Sequence, residues 1–281
     1  MKIIADTHLH SDFSSDGKNS MSEMVQSAIE KGLNTIAFTD HLDFDYPVCP
    51  NPETGKTEIF KQLNANEYRT AIEKLRSETK NKLQILIGIE TGLQPNSSVH
   101  DKTKNFTDIL KPDFIIASTH CVCGQVLAPY SFFKGKTQEE AYRKYLEDVL
   151  TNLSMTNNYD TAAHLDFAER YYPTGNVEDK LLKYTQFADI IDEILRTLIR
   201  KDKALEINTA GIRYGLNVLH PSLEILMRYK KLGGELITVG SDAHNVNDIA
   251  ADFETAMQYL QEADFDAYCI FKNRKPEFIP L

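Results

Sequence analysis

Five residues near the start of the chain, Asp6-Thr7-His8-Leu9-His10, place two imidazoles one residue apart, and Asp16 follows six residues later. In an extended segment residues two apart point to the same side, so His8 and His10 can address one metal ion while Asp16 reaches a neighbouring one. The device returns near the other end, where Gly240-Ser241-Asp242-Ala243-His244 sets a carboxylate and an imidazole one residue apart. Between these pairs, His41, Glu90, His120 and His164 each stand at the end of a short apolar run. Imidazole and carboxylate together bind zinc, iron or manganese, whereas the same groups clustered without cations would be costly to desolvate.

The apolar runs are the elements that must position these side chains. KIIA, TIAFT, LQILIGI, DFIIAS, DTAAH, ALEIN and ELITVG have strand length, and they alternate with segments of helical spacing over 21–32, 64–80, 137–153, 178–200, 220–232 and 246–261. This alternation predicts β/α units around a parallel sheet. Ser20 and Glu23 form a capping-box pattern, Pro221 suits a first helical turn, and Gly32 and Gly233-Gly234 stand where helices should end. The stretch 42–58 has three prolines and no periodicity, and reads as a long functional loop. The tail from about residue 265 is expected to add a short strand and a closing segment. No linker or repeat divides the chain, so residues 1–281 read as a single α/β domain.

Six of the eight histidines fall at strand ends, where seven three-residue windows would collect about 0.6 of the eight by chance. In a parallel barrel the C-terminal strand ends meet on one face, so the polar ends form one site. His8, His10, Asp16, His41, Glu90, His120, His164, Asp242 and His244 make nine candidate ligands. A catalytic ion takes about three protein ligands and keeps a position open, so nine fit three divalent ions, with Glu90 able to bridge. Asp6 and Asp40 are read as carboxylates that orient ligands. His100 reads as a loop residue and His220 as a capping or surface residue before Pro221; Cys121 and Cys123 read as small buried residues rather than thiolate ligands.

Arg170 and Arg213 follow the fifth and sixth strands, on the face of the candidate ligands. The planar guanidinium matches phosphate oxygens, and two of them beside metal ions describe a phosphomonoester site. The ions would lower the pKa of a water for in-line attack at phosphorus, and the arginines would stabilise the equatorial charge. Asp166 or a histidine near the cluster would protonate the leaving alkoxide.

Composition bounds the partners. With 42% hydrophobic and 26% charged residues the chain has a globular composition, and no window approaches the roughly 18 apolar residues of a membrane span. The N-terminus lacks a secretory apolar stretch, and Cys49, Cys121, Cys123 and Cys269 form no CxxC pair, so a cytoplasmic protein with reduced thiols is expected. A net charge of −10 disfavours long nucleic acids while leaving room for a local cationic pocket.

In these residues the sequence resembles the polymerase and histidinol phosphatase (PHP) superfamily. DTHLH with Asp16, FTDH, GIE, STH, AHLD and SDAH follow one another from residue 6 to 244, nearly the whole chain. The resemblance implies a distorted (β/α)7 TIM-like barrel with three metal ions. His8, His10, Glu90 and Asp242 would hold one, Glu90, His120 and His164 a second, and Asp16, His41 and His244 the third. Some relatives have histidine in place of Asp16, which bears on the metal preferred there. Within the superfamily the chain is similar to the monofunctional histidinol phosphatases in its length and in AHLDFAERYYP, EINTAGIRYG and GKTQEEAYRKYLEDVL. That likeness implies hydrolysis of histidinol phosphate in histidine biosynthesis; Tyr171, Tyr172 and nearby acids are candidates to hold the substrate's amine and imidazole. The competing enzyme reading is another PHP phosphoesterase, acting on nucleotides or single-stranded nucleic acid. An amidohydrolase would carry a bridging lysine on a middle strand, where this chain has GIE and STH. A metal-binding barrel that had lost activity would lack ligands, and none is missing.

Overall fold

Seven parallel strands pair in chain order: β1 (Ala5–Leu9), β2 (Thr35–Phe38), β3 (Gln84–Gly92), β4 (Phe114–Ser118), β5 (Thr161–Ala162), β6 (Ala204–Asn208) and β7 (Ile237–Gly240). A parallel bridge between Leu9 and Ala243 joins the last strand's end to the first, so the sheet is a nearly closed barrel. The computed structural model describes residues 2–47, 61–127 and 132–281; Cys49 and positions 48–58 of the expected loop lie outside the described residues. The strands are buried along almost their whole length, as parallel strands covered on both faces must be, which is why their sequences read as unbroken apolar runs.

Helices pack outside the strands: α1 (Met21–Glu30), α2 (Ala65–Glu78), α3 (Ser97–Leu110), α4 (Gln138–Met155), α5 (Tyr184–Arg200), α6 (Leu223–Lys231) and α7 (Phe253–Glu262). The predicted capping box holds: Glu23 N donates to Ser20 Oγ, and Ser20 N donates to Glu23 Oε2 at 2.8 Å. In α5 the buried face is Ile190, Ile191, Ile194, Leu195 and Leu198, each contributing about 1.5–3 kcal/mol by leaving water.

Several expectations need correcting. α3 was not foreseen, because its buried face of Val99, Thr103, Thr107 and Leu110 uses threonines where the apolar pattern needs aliphatic residues; His100 lies on this helix, not in a loop. The strand expected at KIIA begins three residues late, so His8 lies within β1 rather than beyond it, and Glu90 likewise lies within β3. Helices expected from 178, 220 and 246 begin at 184, 223 and 253. The tail forms a hairpin of two six-residue strands, β8 (Ala267–Lys272) and β9 (Lys275–Pro280), rather than one short strand.

Candidate metal centre

The barrel geometry gathers the nine expected ligands around Glu90. Its carboxylate lies at the buried end of β3, with Oε2 3.5 Å from His8 Nε2, 3.5 Å from His10 Nε2 and 2.8 Å from His41 Nδ1. Its Oε1 is 3.2 Å from His120 Nε2 and 2.9 Å from His164 Nε2. Asp242 Oδ1 faces the first pair, 3.7 Å from His8 Nε2 and 3.4 Å from His10 Nε2. At the outer side Asp16 Oδ2 is 3.5 Å from His41 Nε2 and 3.2 Å from His244 Nε2, and His244 stacks on His10 with ring centroids 4.1 Å apart. Six groups, His8, Glu90, His120, His164, Asp242 and His244, come from β1, β3 and the turns after β4, β5 and β7; His41 starts a two-residue strand, His41–Leu42, that pairs with β3.

Ligand atoms approach closely enough for one cation in three overlapping sets: His8 with His10 and Asp242, His41 with Glu90 and His120, and His10 with His41 and His244. His41 therefore stands between the positions that the resemblance keeps apart. His8 Nε2, His10 Nε2 and Glu90 Oε2 are buried with no hydrogen-bond partner among the described residues, although they converge on a common space. Leaving such groups unpaired costs about 1–3 kcal/mol each, and a shared divalent ion would satisfy all of them. The donor set therefore fits divalent metal.

The groups that hold the imidazoles are partly those expected and partly others. Asp40 is fully buried and accepts from Ser11 N at 2.7 Å, Ser14 N at 3.0 Å and Ser14 Oγ at 2.6 Å. Asp6 accepts from Ser241 N and Ala250 N, both at 2.9 Å. Asp6 thus fixes loop backbone, while Asp40 also reaches a ring through Ser14, whose Oγ lies 3.3 Å from His10 Nδ1. Two other rings are held directly by carboxylates that sequence reasoning passed over. Glu206 Oε1 is 2.6 Å from His8 Nδ1, and Asp43 Oδ1 is 2.8 Å from His120 Nδ1, leaving the opposite nitrogen of each ring turned toward Glu90. A carboxylate in the middle of the apolar strand ALEIN was the available signal, because a buried charge requires a partner. Glycines make room for both contacts: a Cβ on Gly240 would sit 2.3 Å from His8 Cβ, and one on Gly92 would sit 1.6 Å from Asp43 Oδ1.

Electrostatics follow from this packing. Burial alone would push the Glu90 and Asp242 carboxyls up, yet the facing imidazoles of His120, His8 and His41, and for Asp242 those of His8 and His10 with Arg170, hold both well below the usual range. Against desolvation, Asp43 and Glu90 raise His120 to about 10, and Glu206 and Glu90 raise His8 well above its ordinary value. His10 goes the other way, lowered by burial and by the neighbouring His244 and His41. Carboxylates that stay ionised among imidazoles are suited to a divalent cation, which would take the place of the protons that these rings otherwise hold.

Arg170 is buried, with its guanidinium between the rings of Phe167 and Tyr214 at 4.7 and 4.6 Å. Its Nη2 donates to Asp242 Oδ2 at 3.1 Å, which places it at the edge of the cluster. Arg213 Nη2 donates to the carbonyls of Ser241 and Asp242, both at 2.9 Å, and its Nε lies 3.3 Å from Asp248 Oδ2. Its Nη1 is buried with no hydrogen-bond partner among the described residues.

Asp166, expected as a proton donor, is fully buried, and both of its oxygens are occupied: Oδ1 is 2.5 Å from His220 Nδ1 and Oδ2 accepts from Ser222 N at 3.1 Å. His220, expected at the surface, is fully buried too. Cys121 is buried and its thiol is pushed up to about 12 by desolvation, so it stays protonated; Cys123, expected to be buried, is exposed at the turn of a small hairpin.

Comparison with known proteins places this geometry. The PHP domain family matches residues 6–210. A histidinol-phosphatase of Lactococcus lactis subsp. lactis is 34% identical over 271 residues, covering 96% of this chain and 95% of that protein. A probable histidinol-phosphatase of Clostridium acetobutylicum is 28% identical, covering 93% of this chain and 94% of that protein. The crystal structure of histidinol phosphate phosphatase from Lactococcus lactis, complexed with zinc, L-histidinol and phosphate, superposes with a TM-score of 0.86 at 33% identity, covering 97% of this chain and 98% of that one.

Proposed function

The chain belongs to the PHP domain family, and from that premise we propose that it is a cytoplasmic, metal-dependent phosphatase that hydrolyses L-histidinol phosphate to L-histidinol and phosphate, with residues 1–281 acting as one domain. The observation that carries this reading is Glu90, whose carboxylate lies within 3.5 Å of five imidazoles, with the Arg170 guanidinium one carboxylate away. The likeness to the Lactococcus lactis enzyme over nearly the full length of both chains supports the substrate.

Three divalent ions, zinc, iron or manganese, would be held by His8, His10, Glu90 and Asp242, by Glu90, His120 and His164, and by Asp16, His41 and His244. Bound there, such ions supply charge neutralisation at the phosphate and bring the pKa of a water toward neutrality. The chain's own residues do the rest. Arg170 and Arg213 offer guanidinium donors to the phosphoryl oxygens, Arg213 through the Nη1 that has no hydrogen-bond partner among the described residues. Glu206 and Asp43 hold the His8 and His120 rings so that their free nitrogens face Glu90.

Phosphate release from histidinol phosphate, measured beside nucleoside monophosphates and a single-stranded oligonucleotide, tests the substrate. Histidinol phosphate should be turned over fastest, a chelator should abolish turnover and added zinc or manganese should restore it. Faster hydrolysis of the nucleotide or the oligonucleotide would replace this reading with that of another PHP phosphoesterase.

A further inference from the structure

Beneath the arginine lies a second polar cluster that metal binding does not use. Asp166, Glu169 and His220 are all buried, and their ligand atoms come close enough together to suit a cation. The hydrogen bonds argue for another use. Arg170 Nε, which can only donate, lies 3.1 Å from His220 Nε2, so that nitrogen must accept and the ring hydrogen must sit on Nδ1. Nδ1 in turn donates to Asp166 Oδ1 at 2.5 Å. Both imidazole nitrogens are therefore committed, and the neighbouring guanidinium would repel a cation. Glu169 faces His220 Nδ1 at 4.0 Å, and burial together with Asp166 raises its carboxyl well above the usual range.

The relay continues beyond the arginine. Arg170 Nη2 donates both to Asn208 Oδ1 at 3.3 Å and to Asp242 Oδ2 at 3.1 Å, and Asn208 Nδ2 donates to Glu206 Oε2 at 3.0 Å. The His220 ring is confined by its neighbours: a Cβ on Gly211 would come within 3.3 Å of His220 Nε2.

We propose that Asp166 and His220 are positioning residues for phosphate capture: Asp166 fixes the tautomer of His220, and His220 fixes the direction in which Arg170 presents its guanidinium. This inference rests on the phosphatase reading above. Asp166→Asn should be damaging despite its small size. Both Asp166 oxygens accept hydrogen bonds, from His220 and from the Ser222 backbone. An amide NH2 in place of the Oδ1 acceptor would drive the ring hydrogen to Nε2, against the Arg170 donor. His220→Gln should be mild, because its amide oxygen can accept from Arg170 while its NH2 donates to Asp166.

The test is a double-mutant cycle on the metal-loaded enzyme, read as kcat/KM for histidinol phosphate and as Kd for inorganic phosphate. In the otherwise unaltered chain His220→Leu and Asp166→Asn should each weaken both by roughly 10- to 100-fold, the effect of losing one hydrogen bond to a charged group, while metal content stays the same. His220→Gln should keep most of the activity. With Arg170→Ala already present, His220→Leu or Asp166→Asn should add less than about threefold, because a residue acting through another has nothing left to act on. Equal losses with and without Arg170 overturn the positioning role, as does a His220→Gln variant as impaired as His220→Leu. Should His220→Leu fail to fold, Asp166→Asn and His220→Gln decide by the same criteria. An unaltered enzyme that neither hydrolyses histidinol phosphate nor binds inorganic phosphate overturns the function reading, and this inference with it; one that does both while the cycle is additive overturns this inference alone.

Discussion

At the scale of residues, the site divides into groups that a sequence displays and groups that only a fold reveals. His8, His10, Asp242 and His244 were legible because a one-residue gap beside a strand aims both side chains one way. Glu206 and Asp43 were not, because a carboxylate that holds an imidazole has no spacing rule tying it to that imidazole: Glu206 lies 198 positions from His8. His220 was misread for the same reason, since its meaning depends on Arg170 and Asp166. Glu206→Gln replaces the charge on His8 Nδ1 with a neutral amide and should weaken metal binding by roughly 10- to 100-fold. Metal content after dialysis against a dilute chelator measures it, and retention equal to that of the unaltered chain would deny Glu206 this role. Arg213→Ala should leave metal content intact and lower phosphatase turnover by roughly 100-fold, as expected for loss of one donor to the transferring group. Unchanged turnover would remove Arg213 from the site.

At the scale of elements, the strands were legible and their ends less so, because apolar runs mark where a strand is buried and not where its hydrogen bonding stops. β1 extends through Asp6, Thr7 and His8 because the barrel supplies partners for these polar groups: Thr7 Oγ1 donates to the Val239 carbonyl at 2.9 Å and Asp6 accepts from Ser241 N. α3 escaped notice because threonines line its buried face. The glycines at the strand ends carry a requirement that composition hides. Gly240 ends β7 where β1 passes so closely that an added Cβ would lie 2.3 Å from His8 Cβ and 2.8 Å from Glu206 Oε1. Gly240→Ala should therefore cost about 1–3 kcal/mol by forced displacement in a packed region. It should also loosen metal binding, because the displaced ring is a proposed ligand. Gly175→Ala, where nothing lies within 4 Å of the new methyl group, should stay within about 0.5 kcal/mol. Urea denaturation midpoints compare the two, and equal midpoints would show that the crowding at Gly240 is relieved without cost.

At the scale of the whole molecule, convergence of strand ends is what allows residues from position 8 to position 244 to share one pocket, and the alternation of β and α segments made that legible. How the barrel closes was not legible, because closure depends on the twist and stagger of seven strands together. The seam between β7 and β1 is held by a parallel bridge between Leu9 and Ala243, with His10 N donating to the Ala243 carbonyl at 2.9 Å. His8 and His10 face Asp242 across the same seam. An ion bound by those three side chains would therefore join the two edges of the barrel, and its binding energy would add to the stability of the closed form. A ligand that binds only the folded state stabilises it by about 2.7 kcal/mol at a free concentration of 100 Kd. For a chain of this size that corresponds to roughly 5–10 °C in melting temperature. Thermal melts of the chelator-treated protein should accordingly fall by about this amount and recover on adding zinc. His10→Ala and Asp242→Ala variants, which remove one side of the bridge, should show little recovery. A melting temperature indifferent to chelation in the unaltered chain would mean that the seam stands on its backbone contacts alone and that ions there do not brace the barrel.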